Sequence, residues 1–216
     1  MKPKGFLDVL DIIKANKPHA PVVTLVAESE RDPFKVLIAT ILSLRTKDET
    51  TAKAAQRLFE QACDPNQMLR LSHKELERLI YPVGFYRDKA RRILEISERI
   101  VKDFGGVVPA DLDTLLTFSG VGRKTANLVM SLGFDQPSVC VDTHVFRITN
   151  RLGFVKAKDP ERTEFVLRRK VPMARWSEIN DLLVALGQTI CKPISPTCSK
   201  CPVSESCERR GVKKSG

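Results

Sequence analysis

The chain has 216 residues, 42% hydrophobic and 29% charged, an ordinary globular composition that fits one large domain or two small ones with a proper core. Thirty-six Lys and Arg against 26 Asp and Glu give a formal net charge of +10, which favours a polyanionic partner such as nucleic acid or an acidic membrane surface. No window approaches the roughly 18 apolar residues of a membrane span, and "MKPKGFLDVLDIIKANK" lacks the apolar run of a secretion signal, so a soluble, cytoplasmic protein is expected.

Helix signals dominate in chain order. "DPFKVLIATILSL" offers Asp32 as N-cap and Pro33 at the first helical position, followed by apolar residues nearly all round, the pattern of a buried central helix. "TKDETTAKAAQRLF" opens with Thr46 and Glu49 spaced as a capping box, and "SHKELERLI" does the same with Ser72 and Glu75. Further on, "DPERTEFVLRRKV" starts with Asp159 and Pro160. Only the short "PSVCVD" alternates like a half-buried strand, so the fold class is all-α.

An internal repeat sits between these helices. "LERLIYPVGFYRDKARRI" and "LDTLLTFSGVGRKTANLV" align without a gap at an offset of 36 residues, pairing Gly84 with Gly120 and Arg87 with Arg123. Each copy is helix, glycine turn, helix. The bland alternative is two unrelated helical hairpins with similar turn chemistry. A turn that presents backbone N–H groups at a helix start is an anion site, and in a basic chain that anion fits a DNA phosphate. In the second copy Gly120 and Gly122 allow close backbone approach and suit positive φ.

Lys124 follows that turn, in the first turn of the next helix, where the macrodipole disfavours a cation. A nucleotide-binding P-loop is excluded, because it needs glycine immediately before the lysine and this chain has Arg123. The local field favours the neutral amine, which is a nucleophile able to form a Schiff base. The plain alternative is a solvated lysine touching a phosphate as a point charge. Asp88 occupies the matching position of the first copy, so the hairpin itself does not require a lysine there. Downstream, "GFDQPSVCVDTHVFRI" presents Asp142, which is an N-cap for the next helix, a carboxylate able to handle the lysine's proton, or both.

Cys191, Cys198, Cys201 and Cys207 fall within seventeen residues as C-x6-C-x2-C-x5-C, a metal-ligand pattern in an intracellular chain. Zinc and iron–sulfur both take four thiolates; the single C-x2-C unit leans to iron–sulfur. Cys63 and Cys140 stand apart and are expected to be buried small apolar residues. From Lys192 to Gly216 six Lys or Arg face two Glu, a basic loop suited to further phosphate contacts.

Together, "GVGRKT", "GFDQP" leading to "VDTHV", and the four-cysteine spacing resemble the endonuclease III family of helix-hairpin-helix DNA glycosylases, over essentially the whole chain. The resemblance implies a six-helix barrel domain at 27–136 with the helix-hairpin-helix at about 112–132. It implies a second helical domain from 1–26 plus 137–216, with a [4Fe–4S] cluster in the loop 191–207, and a cleft between the domains carrying Lys124 and Asp142. The implied activity is a bifunctional base-excision repair glycosylase and AP lyase. It acts as a monomer on double-stranded DNA containing damaged pyrimidines or abasic sites, through a lysine Schiff base and β-elimination 3′ to the lesion. Gly120, Gly122, Arg123, Thr125 and His144 are the implied DNA contacts, with Arg45 of "LSLRTKD" entering the space of a flipped nucleotide and Phe85 of "VGFYRDK" wedging beside the estranged base. Well-known bacterial members carry glutamine and leucine at those two places, where lesion and opposite-base preference are set. Two rivals differ in what they require. A monofunctional mismatch glycosylase lacks the lysine, and a noncatalytic redox-responsive DNA-binding module needs neither Lys124 nor Asp142.

Overall fold

The computed structural model describes residues 5–16 and 31–216, and among these every regular element is helical. The chain divides into two compact units, with one boundary between Gln136 and Pro137. The other expected boundary, at 26/27, lies outside the described residues.

One unit runs to Gln136 and is built around α2 (Pro33–Ser43). Asp32 accepts from the Lys35 N–H at 2.8 Å, and Pro33 opens the helix as its pattern predicts. Phe34 and the run from Val36 to Leu42 are buried, so α2 is enclosed on all sides. Each fully buried Leu or Ile of this kind contributes roughly 1.5–3 kcal/mol. Around it lie α3 (Asp48–Gln61), α4 (Pro65–Met68), α5 (His73–Ile80), α6 (Tyr86–Phe104), α7 (Leu112–Leu116) and α8 (Arg123–Leu128), the last running into a π turn at Val129–Gly133. Gly133 lies where a Cβ would stand 2.8 Å from the Pro33 Cα, so the π turn closes directly on the start of α2.

Two local expectations divide here. The Ser72–Glu75 capping box forms in full at α5. At α3 it does not: Lys47 is the N-cap with no side-chain bond, and the Thr46 hydroxyl accepts from the Gly84 N–H at 3.1 Å instead. A tertiary donor has displaced the local one.

The other unit holds α1 (Phe6–Ala15), α9 (Thr143–Leu152), α10 (Pro160–Lys170) and α11 (Trp176–Thr189), followed by two 3-10 turns, Cys198–Lys200 and Ser204–Ser206. Asp159 caps α10 as expected. Phe6 stacks on Phe154 with ring centroids 4.1 Å apart, and Arg175 bridges Asp11 of α1 to Glu178 of α11. "PSVCVD" is not a strand. Val139, Cys140 and Val141 are buried in an irregular segment, tied by the Asn180 amide donating to the Cys140 carbonyl at 3.2 Å. Ser138 is buried along with them, so the alternation in the sequence does not mark an exposed and a covered face, and among the described residues no strand pairs with the segment. Cys140 is buried as expected, whereas Cys63 is only half-buried, its thiol 3.4 Å from the Gln67 amide oxygen.

Candidate active site

The second hairpin joins α7 to α8. Gly120 has φ +75°, the left-handed region that favours glycine, but Gly122 is extended at φ −96°, so only the first glycine meets the expected positive φ. Gly122 is the N-cap and supplies no side-chain bond. Arg123 and Lys124 then open α8, both half-buried, and Thr125 is buried at 2% exposure. The Arg92 side chain packs on Gly120, its Cδ 2.9 Å from the place of a Cβ, while its Nε pairs with Asp88 at 2.8 Å.

The first hairpin, α5 to α6, has the same outline and a different use. Its left-handed residue is Phe85, at φ 58°, not Gly84. The Gly84 N–H is taken by Thr46, and Asp88 in the first turn of α6 pairs with Arg91 at 2.7 Å and with Arg92. The Arg91 hydrogen bond is the main cause holding the Asp88 carboxyl below its usual range. This copy therefore docks another loop, with the Gly84 amide consumed internally and a paired carboxylate in the first turn of its helix. That loop carries Arg45, itself left-handed at φ 54°, whose guanidinium lies 5.6 Å from the Phe85 ring centroid. The structure thus brings together Arg45 and Phe85, which sequence placed 40 residues apart.

In the other unit Asp142 is the N-cap of α9. Its Oδ1 accepts from both the His144 and Val145 N–H groups at 2.8 Å, leaving Oδ2 outside the cap. His144 faces Arg147, with Nη2 and Nδ1 at 3.0 Å. A guanidinium only donates, so Nδ1 accepts and the ring proton sits on Nε2. Arg147 continues to the carbonyls of Cys191, at 2.8 Å, and Gly187, at 3.3 Å.

Cys191, Cys198, Cys201 and Cys207 line a single cavity together with Arg151 and Arg209. Arg151, only 8% exposed, donates to the Cys191 Sγ at 3.4 Å and to the Lys192 and Pro193 carbonyls at 2.7 Å each. The Arg209 N–H reaches the Cys207 Sγ at 3.4 Å. Burial, reinforced by the neighbouring cysteines, pushes the Cys201 and Cys207 thiols up. Among the described residues, no three His, Cys, Asp or Glu side chains are grouped as a single-ion site.

Sequence reasoning missed Arg147, Arg151 and Lys89. His144, Arg147 and Arg151 recur at three- and four-residue spacing along α9, a basic stripe that could have marked the first two. Lys89 lay hidden in the charge-rich "FYRDKARRI".

A hairpin carrying a lysine at its helix start in one unit, and a cavity lined by four thiols in the other, among described elements that are all helical, point to a class of DNA-repair proteins. Residues 38–173 match the HhH-GPD superfamily of base excision DNA repair proteins. The chain is 49% identical to endonuclease III of Thermotoga maritima, covering 84% of this chain and 87% of the relative. It is 38% identical to endonuclease III of Bacillus subtilis, covering 95% and 92%. Among solved structures it is similar to a trapped endonuclease III–DNA covalent intermediate with an estranged adenine, at TM-score 0.84, 35% identity and 97% of each chain. It is also similar to a thermostable thymine-DNA glycosylase, at TM-score 0.74, 25% identity, and 92% and 96% coverage. The chain belongs to the endonuclease III family, whose members are base-excision DNA glycosylases with AP lyase activity.

Proposed function

We propose that the enzyme removes oxidised pyrimidines from duplex DNA and cuts the strand 3′ to the abasic site, with Lys124 as nucleophile and Asp142 as the carboxylate that handles its proton. The observation that carries this reading is the divergence of the two hairpins: the first ends in an ion-paired aspartate, the second in Lys124 beside a glycine turn. The covalent complex captured for a similar endonuclease III supports a covalent route.

The neutral amine bonds to C1′ of the flipped nucleotide as the bond from C1′ to the base breaks. The base leaves with the electron pair and takes up a proton, and the amine gives one up. Asp142, through the oxygen not engaged in the cap, accepts that proton or stabilises the cationic sugar. Opening of the sugar gives an iminium. Loss of a proton from C2′ then expels the 3′ oxygen with its phosphate, and water releases the lysine.

The turn amides at Gly120 and Gly122, the first-turn backbone of Arg123 and Thr125, and His144 hold the phosphates around the lesion in this reading, while Arg45 and Phe85 occupy the space left in the duplex. Duplex DNA is the one partner required, the enzyme acting as a monomer in the cytoplasm, at the nucleoid if the source is prokaryotic. Among the described residues no helix is long and apolar enough to cross a membrane.

The four cysteines hold a [4Fe–4S] cluster in the same proposal. The fit rests on the four cysteine sulfurs lining one cavity, a donor set of the kind a [4Fe–4S] cluster takes. When bound, such a cluster supplies a one-electron couple and crosslinks the loop. Arg151 and the Arg209 N–H donate to its cysteine sulfurs.

The likeness to a thymine-DNA glycosylase keeps a monofunctional enzyme as the second reading. Product analysis separates the two. A duplex with one oxidised pyrimidine should yield the free base together with a strand ending in a 3′ unsaturated aldehyde. Free base accompanied by an intact strand would favour the monofunctional reading.

A further inference from the structure

Lys89 is 4% exposed, and burial pushes its ammonium down to about 8. It lies in the first turns of α6, yet its Nζ reaches back to the loop after α2. It donates to the Leu42 carbonyl at 2.8 Å, the Leu44 carbonyl at 2.6 Å and the Thr46 hydroxyl at 3.1 Å, one acceptor for each of its three protons. The Thr46 hydroxyl accepts as well from the Gly84 N–H at 3.1 Å and donates to the Leu44 carbonyl at 3.3 Å, which exhausts its capacity. The backbones touch at the same point: a Cβ on Gly84 would stand 2.7 Å from the Arg45 carbonyl oxygen.

At this knot, Arg45 and Phe85 are both non-glycine residues in the left-handed region, which L side chains rarely adopt. Such strain persists only where the surroundings over-determine it. Phe85 is 63% exposed, Arg45 is exposed, and the cation lies over the ring. The matching position of the second hairpin is Thr125, so a buried lysine is not a requirement of the repeat. A methionine of similar length would fill the volume without bringing a charge out of water.

We infer that Lys89 is a positioning residue that ties the Arg45 loop to the Phe85 turn, so that the two exposed tips meet the duplex as one preset unit. The inference rests on the reading above in which those tips enter the DNA. A plain structural role, a cation on the terminal carbonyls of α2, would instead affect folding and every activity alike.

A double-mutant cycle distinguishes these roles. Single-turnover base release is measured on duplexes with an oxidised pyrimidine, together with fluorescence of 2-aminopurine opposite an abasic site. Lys89→Met should slow base release by about tenfold and reduce the fluorescence change, while in an Arg45→Ala/Phe85→Ala background the same substitution should have less than about a twofold effect. A full Lys89→Met loss persisting in that background overturns the inference. If Arg45→Ala/Phe85→Ala is slow but Lys89→Met matches the parent, Lys89 alone is misassigned. If Arg45→Ala/Phe85→Ala is as fast as the parent, the reading of the tips is wrong and the inference falls with it. Should Lys89→Met fail to fold, Thr46→Val, which removes the shared hydroxyl, must give the same pattern of coupling; additive behaviour would contradict it.

Discussion

At Asp142 both capping bonds fall on Oδ1, so one oxygen orders the start of α9 while the other stays available. Asparagine caps a helix about as well as aspartate but cannot accept a proton in the same way. Asp142→Asn should therefore lower base release about 10²- to 10⁴-fold with little change in melting temperature or duplex affinity. Parallel losses in stability and binding would reduce Asp142 to a cap. Residues of this kind were legible because a cap acts over two or three positions: Asp32, Ser72, Asp142 and Asp159 all cap the helices they precede. Thr46 has the same local pattern and fails. Its partners, Gly84 and Lys89, lie 38 and 43 residues away, beyond the reach of any local spacing rule.

Among elements, the repeat was legible in outline and misleading in detail. Gly120 and Phe85 are the left-handed residues of the two turns, one position apart in the 36-residue alignment, and that shift separates a turn able to face a phosphate from one whose amide is consumed internally. The false strand at "PSVCVD" also misled in detail: Ser138 to Val141 are all buried, so the polar–apolar alternation there reflects neither a two-faced strand nor a pairing partner. The cysteine spacing was legible as a convergence of side chains, and the two 3-10 turns, Cys198–Lys200 and Ser204–Ser206, help bring the four thiols to one cavity. Protein purified without air should be brown, with iron and sulfide in equal amounts. A colourless, active, zinc-containing preparation would contradict the cluster assignment. Arg151 was invisible at this scale because its role depends on the fold carrying α9 to the cysteine loop.

For the molecule as a whole, the net charge of +10 and the helical class followed from composition and pattern. The family followed from a few motifs, confirmed over most of the chain by its relatives. Lys124 and Asp142 belong to different compact units although only 18 residues separate them, because the chain passes from one unit to the other at Pro137. In the proposed reaction Lys124 forms the covalent bond to the sugar. Borohydride reduction during reaction with a duplex containing an abasic site or an oxidised pyrimidine tests it most directly. The wild-type chain should be trapped in a stable protein–DNA adduct whose modified peptide contains Lys124, and Lys124→Gln should give none while still binding the duplex. Trapping of Lys124→Gln at the wild-type rate would show that another group is the nucleophile.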